Sequence, residues 1–220
     1  MNILITAGGT KEYIDGVRYI GNSSTGRTGA QMVDYLTQCG HNVTWLGAED
    51  AIKPSSDCVQ ETYETFEELQ ALLEQQLSGH EFDVVFHAAA VSDFKVTSVV
   101  LNDTTIPAGR DCKIPTSERA RINLEKNPKL IDSIKSWSKN AGVLLVGFKL
   151  TNSSSQKAIK KAIDKLLDKG VVDYVAHNNL PDITPTSHKL NLFHKSGTMH
   201  HCESPEQLCD KVVYLLEQAA

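Results

Sequence analysis

Apolar residues in this chain fall into short unbroken runs, separated by stretches in which they recur every three or four positions, an alternation that predicts strands and helices in turn. Asn2–Ala7 reads as a strand buried on both faces. After Gly26, the residues Ala30, Met32, Val33, Tyr35 and Leu36 repeat at helical spacing. His41–Leu46 supplies a second strand, and a short extended piece lies near Cys58–Glu61. Phe66–Leu77 is expected to be helical, its start marked by Thr65 with Glu68 three residues on, a capping box. Phe82–His87 is a further buried strand, Pro128–Trp137 a helix, Gly142–Phe148 a strand, Ser154–Lys169 a helix and Val171–His177 a strand. Lys189–His194 and Gly197–Cys202 flank Lys195-Ser196 as a hairpin, and Ser204-Pro205-Glu206-Gln207 opens a last helix.

Strands alternating with helices in this way predict an α/β fold: a Rossmann-like, doubly wound, mostly parallel sheet with helices on both faces and a C-terminal antiparallel hairpin. Residues 92–125 fit no sustained period and are broken by Asn102-Asp103, Pro107-Ala108-Gly109 and Pro115. A long irregular excursion from the sheet is expected there, of the kind that serves as a lid or a subunit contact.

Composition narrows the picture. With 220 residues, 40% of them hydrophobic, and no Pro/Ser-rich linker or charge run, the chain reads as one domain over 1–220. A net charge of −5 and a pI near 5.9 argue against nucleic acid or a membrane surface as partner. Neither a signal-peptide pattern nor an apolar run of about 18 residues occurs, so a cytoplasmic protein is expected. Cys39, Cys58, Cys112, Cys202 and Cys209 are odd in number and form no C-x-x-C pair, which suits reduced thiols better than disulfides or zinc. His200-His201-Cys202 would point to both faces of a strand, a poor metal site, and the metal ligands stay unknown at this level.

The candidate chemistry is concentrated between Ile5 and Gly29, ITAGGTKEYIDGVRYIGNSSTGRTG. An apolar strand runs into two glycine- and hydroxyl-rich loops, and the second opens a helix. Backbone N–H groups in such turns, beside a helix N-terminus, receive phosphate or carboxylate oxygens. In open sheets of this type ligands bind beyond the carboxyl ends of the strands. On that rule Gly8-Gly9-Thr10, Ala88 to Asp93, Phe148-Lys149 and His177-Asn178-Asn179 should converge on one crevice. A nicotinamide-dependent oxidoreductase is one alternative, but it wants G-x-G-x-x-G opening a helix directly. Here about 15 residues intervene after Gly-Gly-Thr, and no Tyr-x-x-x-Lys pair appears.

Together with AAAVSDF (Ala88 to Phe94), the lysine of KIPTS (Lys113), KNPKLI (Lys126 to Ile131), VGFKL (Val146 to Leu150) and AHNNL (Ala176 to Leu180), in that order, this segment resembles phosphopantothenoylcysteine synthetase. That family is the phosphopantothenate–cysteine ligase of coenzyme A biosynthesis. The similarity runs over nearly the whole chain and is greatest to the free-standing bacterial form, without the flavin-binding decarboxylase domain.

The resemblance implies a two-step ligation that uses CTP, or ATP, with Mg²⁺ and no flavin. The phosphopantothenate carboxylate attacks the α-phosphate to give an acyl-nucleotide and pyrophosphate; cysteine's amine then takes the acyl group and releases CMP. It also implies a homodimer whose arms, residues 100–120 or 185–202, cross between subunits, and a separate phosphopantothenoylcysteine decarboxylase as a further partner.

By the same resemblance Asn22 and Lys113 are catalytic, Asn22 holding phosphopantothenate and the acyl intermediate and Lys113 offsetting charge at the reacting phosphate. Ala89 and Ala90 contact the pantothenate end. The nucleotide falls to Gly9, Ser23, Ser24, Thr25, Gly26, Asp93, Lys113, Pro128, Lys129, Leu130, Ile131, Phe148, Lys165, Lys169 and Asn178. Each has a plainer reading: a left-handed turn for Asn22, helix capping for Ser23 to Thr25, packing for Ala89, Ala90 and Phe148, and solvation for Asp93, Lys113, Lys165 and Lys169. The chain departs from the family at His177 and Asn179, where a small residue and an Asp are usual, and at Gly21, where a larger residue is common. A non-catalytic nucleotide sensor is the remaining alternative, and it would have little need for Lys113.

Overall fold

The computed structural model describes residues 1–184 and 187–219. In chain order its elements are β1 (Asn2–Ala7), β2 (Lys11–Asp15), β3 (Arg18–Gly21), α1 (Arg27–Gln38), β4 (Asn42–Ala48), β5 (Val59–Tyr63) and α2 (Phe66–Gly79). There follow β6 (Val84–His87), β7 (Phe94–Leu101), β8 (Thr104–Pro107), β9 (Ala120–Lys126), α3 (Ile134–Trp137), β10 (Leu144–Thr151) and α4 (Gln156–Leu167). The chain ends with β11 (Tyr174–Asn179), β12 (Leu190–His194), β13 (Met199–Cys202) and α5 (Pro205–Ala219).

Eight strands form the main sheet in the order β13-β12-β11-β10-β6-β1-β4-β5. The six from β11 to β5 are parallel, and β12 and β13 add antiparallel to one edge. Counted along the chain, the parallel strands lie in the order 3-2-1-4-5-6 of dinucleotide-binding sheets, so winding reverses between β1 and β6. β1 and β6 are apolar on both faces because helices cover both. Helices α1 and α5 pack together on one side. On the other α2 meets α3, and Ile131 and Leu166 meet over Gly147. The α1 side approaches closely: a Cβ added at Gly29 would lie 2.4 Å from the Ala7 Cβ. The expected capping box opens α2, with Thr65 Oγ1 accepting from Glu68 N and the Glu68 carboxylate accepting from Thr65 N.

Three expectations are corrected. Residues 92–125 do leave the main sheet, as expected, but they are not irregular throughout: β7 pairs antiparallel with β8 and with β9 in a separate three-stranded sheet. Asn102 and Asp103, read as a break, are a hairpin turn with φ of 44° and 71°. No period is visible because β9 is exposed along its whole length, and only Val99, Leu101 and Ile114 form a small core there with Ile14, Ile106 and Cys112.

Lys11 to Gly21, read as loop, is the β2–β3 hairpin. The buried Asp15 carboxylate holds its tip, accepting from Val17 N, Arg18 N, the Arg18 guanidinium and Ile114 N. Those donors keep the Asp15 carboxyl well below the usual range, the Arg18 bond first among them.

Pro128–Trp137 is not one helix but a 3-10 turn, Leu130–Asp132, followed by α3, a path that buries both Leu130 and Ile134. Of the two expected arms, 185–202 includes Pro185 and Thr186, outside the described residues, and its remainder from Leu190 builds the edge of the main sheet. Among the described residues no helix is long and apolar enough to cross a membrane.

Candidate active site

The loops after β1 and β6 meet at the switch point. Ala90 N donates to Gly8 O at 2.8 Å and Thr10 N to Ala90 O at 3.4 Å, so Gly9 and Ala90 continue the parallel pairing beyond the strand ends. Below them Thr6 Oγ1 accepts from Ala89 N at 3.1 Å and lies 3.0 Å from His87 Nδ1. Burial pushes the His87 imidazole down to about 4, so it is neutral at physiological pH.

Asn22, at the end of β3, lies across this bridge, its Nδ2 donating to Ala90 O and Val91 O, each at 3.2 Å. Two carbonyls accept only from the NH₂ end, which fixes the amide's orientation and leaves Oδ1 as the group facing a ligand. Gly9 permits the approach: a Cβ there would stand 2.5 Å from the Asn22 carbonyl oxygen. Gly21 also packs tightly, with a Cβ falling 2.9 Å from Thr10 O, so this chain sets the hairpin closer than a larger residue would allow.

Ser23 to Gly26 lead into α1. Gly26 is its N-cap with φ of 70°, no side chain caps the helix, and no acidic residue stands in its first turn. Ser23 and Ser24 make no hydrogen bond to the described protein, and Thr25 Oγ1 accepts only from Arg27 N, at 3.4 Å. Free hydroxyls beside an uncapped helix N-terminus make an anion receptor. Capping is thus a minor part of what these three residues do.

On the far side of the crevice Asp93 pairs with Lys129. Asn127, 3% exposed, donates from N to Asp93 O at 2.9 Å and from Nδ2 to Ser92 O at 3.2 Å. These bonds pin the segment that begins at Pro128. Leu130 is buried, Ile131 packs over Gly147, and Phe148 is half-buried against the main core. Lys169 reaches back to Asp132 at 2.6 Å, joining the end of α4 to the same neighbourhood. Lys165, one turn earlier, is exposed on a lysine-rich face with Lys157 and Lys161, and none of the three has an ion pair among the described residues.

At the end of β11, Asn178 Nδ2 lies 2.8 Å from His188 Nε2, and His188 Nδ1 lies 3.4 Å from Thr28 Oγ1 in the first turn of α1. His177 and Asn179 share one network. Asn179 Oδ1 accepts from Ser153 N at 3.1 Å and from the Thr151 hydroxyl at 2.9 Å. The Thr151 hydrogen being spent, His177 Nε2 at 2.9 Å has to be the donor to its oxygen, so Nε2 carries a hydrogen. Burial depresses the His177 pKa below its ordinary value.

Lys113 is the candidate that the single chain does not bring to the crevice. It is exposed and has no ion pair among the described residues, beside Ile114, whose N–H and carbonyl bind Asp15 and Arg18 at the tip of the hairpin. Asn22 follows the other end of β3, about 13 Å from that tip at ~3.3 Å per residue. No group of three or more His, Cys, Asp or Glu placed to hold a metal occurs among the described residues.

Sequence reasoning brought Thr10 and Ser92 to the crevice, and Asn127 into the KNPKLI motif, without giving them a role, and it missed Thr28 and His188 as supports of the site.

A sequence model of the DNA/pantothenate metabolism flavoprotein C-terminal domain (DFP) matches residues 1–217. The Coenzyme A biosynthesis bifunctional protein CoaBC of Thermococcus kodakarensis is 36% identical over 178 residues, 81% of this chain and 41% of that protein. CoaBC of Haemophilus influenzae is 31% identical over 202 residues, 90% of this chain and 46% of that protein. The chain thus spans less than half the length of these curated relatives.

The crystal structure of the DNA/pantothenate metabolism flavoprotein from Streptococcus pneumoniae superposes with a TM-score of 0.87 at 24% identity, covering 100% of both chains. A Cab2 mutant in complex with phosphopantothenate-cysteine superposes with a TM-score of 0.75 at 18% identity, covering 99% of this chain and 86% of that one.

Proposed function

The chain belongs to the family of the DNA/pantothenate metabolism flavoprotein C-terminal domain, and from that premise we propose that it is a phosphopantothenate–cysteine ligase, phosphopantothenoylcysteine synthetase, with residues 1–220 as a single domain. The observation that carries the reading is the bridged crevice: Asn22, clamped by Ala90 O and Val91 O, stands beside the uncapped start of α1. The relatives act in coenzyme A biosynthesis by name, and a protein of the same fold has been solved with phosphopantothenate-cysteine bound.

In this reading phosphopantothenate lies over Ala89 and Ala90 with Asn22 Oδ1 accepting from its donors. Phosphate oxygens enter among Gly9, Ser23, Ser24, Thr25 and the first turn of α1. The nucleotide, CTP by the family's habit, lies along Pro128 to Ile131 and Phe148, with Asn178 at its edge and Asp93, Lys129, Lys165 and Lys169 around its polar groups. A substrate carboxylate oxygen attacks the α-phosphorus and pyrophosphate leaves; cysteine's amine then attacks the acyl carbon, loses a proton and expels the nucleoside monophosphate. The residues neutralise crowded charge and hold the groups in line. Mg²⁺, which would shield the triphosphate, finds no carboxylate cage among the described residues and would be held chiefly by phosphate oxygens.

Lys113 serves the site from a second copy of the chain. The exposed apolar residues Phe94 (51%), Ile122 (41%) and Leu124 (50%) on β7 and β9 support a homodimer through this arm, the assembly in which Lys113 would reach the partner's crevice. The product passes to a phosphopantothenoylcysteine decarboxylase, and both work in the cytoplasm. The test is incubation with phosphopantothenate, cysteine, Mg²⁺ and either CTP or ATP. Pyrophosphate release dependent on phosphopantothenate is expected, and its absence with both nucleotides overturns the ligase reading.

A further inference from the structure

A second concavity of about 300 Å³ lies between the β2–β3 hairpin, the start of α2 and β7, lined among others by Lys11, Glu12, Glu67, Lys95 and Arg110. Its cations are paired: Lys11 with Asp50 and Glu64, Arg110 with Glu64 and Glu68, and Lys95 with Glu125. Glu12 is different, 4% exposed and without an ion pair among the described residues. Its Oε1 stands 3.5 Å from the Thr10 hydroxyl. Thr10 Oγ1 in turn lies 3.0 Å from Ser92 Oγ and accepts from Ser92 N at 2.9 Å, and Ser92 O accepts from Asn127 Nδ2. One chain of polar groups therefore runs from Glu12 through the loop after β1 into the loop after β6 and on to the segment before Pro128. The carbonyls that hold Asn22 immediately precede Ser92.

The charged groups that face Glu12 are Glu67 from α2 and Lys95 from β7, with Lys11, Glu68 and Arg110 also lining the concavity. Burial pushes the Glu12 carboxyl up to about 7; Glu67 adds to the rise, and the Ser92 and Thr10 hydroxyls and Lys95 oppose it. A neutral Glu12 donates to Thr10 Oγ1, which frees the Thr10 hydrogen for Ser92 Oγ and the Ser92 hydrogen for Thr10 O, 3.4 Å away. An ionised Glu12 draws a hydroxyl hydrogen onto itself, takes one donor from the loop-to-loop contact, and adds negative charge near an anionic substrate.

We propose that Glu12 is a positioning residue for the phosphopantothenate crevice, acting through Thr10 and Ser92 to set the loops after β1 and β6, the second of which holds the Asn22 amide. This rests on the ligase reading. The experiment measures KM and kcat for phosphopantothenate by pyrophosphate release between pH 5.5 and 8.5, in wild type, Glu12→Gln, Thr10→Val and Ser92→Ala. The substrate's own phosphate titrates alike in all, so the readout is the ratio of wild-type to variant KM. That ratio is expected to rise about three- to tenfold, the worth of one hydrogen bond, through an inflection near pH 7 for Glu12→Gln, with kcat changed less than twofold. Thr10→Val and Ser92→Ala are expected to lose the wild-type inflection and carry the test alone should Glu12→Gln not fold. A ratio flat within twofold, or losses in kcat alone, overturns the proposal while leaving the ligase reading intact. Wild type that releases no pyrophosphate overturns the ligase reading instead. Glu12 is then judged by pH-dependent thermal stabilisation of wild type and Glu12→Gln with phosphopantothenate alone: an inflection near 7 confined to wild type supports the positioning role, and its absence rejects it.

Discussion

Gly9→Ala isolates the geometry of the crevice from its chemistry. The new methyl would stand 2.5 Å from the Asn22 carbonyl oxygen, whereas ordinary contacts begin near 3.4 Å and real Cβ atoms essentially never come under 3.0 Å. The obstacle is backbone, so the loop and the end of β3 have to part by about 0.5–0.9 Å, and Gly9, whose φ is not positive, has no conformational escape or penalty of its own. A misplacement of about 1 Å at a reacting centre costs on the order of a hundredfold. We therefore expect kcat/KM for phosphopantothenate to fall roughly 10- to 100-fold, with a stability loss of about 1–3 kcal/mol from overpacking. Gly79→Ala, at the end of α2 with nothing within 4 Å of the new Cβ, is the control. It should leave activity alone and stabilise by about 0.5–1 kcal/mol. The assay is continuous pyrophosphate release beside thermal denaturation, and a Gly9→Ala kcat/KM within threefold of wild type would refute the argument.

Asn22→Asp removes both donors to Ala90 O and Val91 O and sets a charge against two carbonyls; transfer of the acyl group to cysteine should fall by at least about tenfold more than pyrophosphate release, and equal losses in the two half-reactions count against the assigned role. Mixing Lys113→Ala and Asn22→Asp chains should restore formation of the amide product toward about a quarter of wild type if sites are shared between subunits, since about one site in four of a random mixture then keeps both residues; no recovery after verified subunit exchange argues against that sharing. Two buried groups give opposite pH slopes. His87, held near 4 against an ordinary 6.5, contributes stability that is complete above pH 6.5 and is lost toward pH 4, by up to about 3 kcal/mol. Glu12, raised to about 7 from 4.5, contributes stability that is complete below pH 4.5 and is lost as pH rises through 7. Glu12→Gln should therefore melt higher than wild type at pH 8, and the gap should close by pH 4.5; a gap independent of pH contradicts the burial argument.

The parallel sheet was legible because its strands, covered on both faces, are unbroken apolar runs, and because α2 announces itself with Thr65 and Glu68. The small sheet was not, since Ala120–Lys126 buries nothing in one chain and so leaves no pattern to read. Asn102-Asp103 looked like a break for the reason that it makes a good turn. The hairpin from Lys11 to Gly21 hid behind glycines and an Asp15 whose partners, Arg18 and Ile114, include one 99 residues away. Within the site the motif residues at Asn22, Ala90 and Ser23 to Gly26 do come together. Thr10, Ser92 and Asn127 fell within segments expected at the crevice, but their bracing role was not legible because a hydroxyl or amide that braces a loop looks, in sequence, like any solvated one. Lys113 could be named from its motif, but its distance from Asn22 is a property of the folded chain.

The pairing of Gly9 with Ala90 beyond the ends of β1 and β6 also has a consequence in time. Loops at sheet ends usually exchange their amide hydrogens with water quickly, but Ala90 N–H is engaged at 2.8 Å and stands directly on the central strands. The floor of the crevice should open only when the sheet core opens, so ligands meet a surface already ordered during folding and sacrifice little entropy in binding to it. Slow exchange at Ala90, alongside fast exchange at Ser23 and Ser24, would mark the boundary between a fixed floor and a responsive rim.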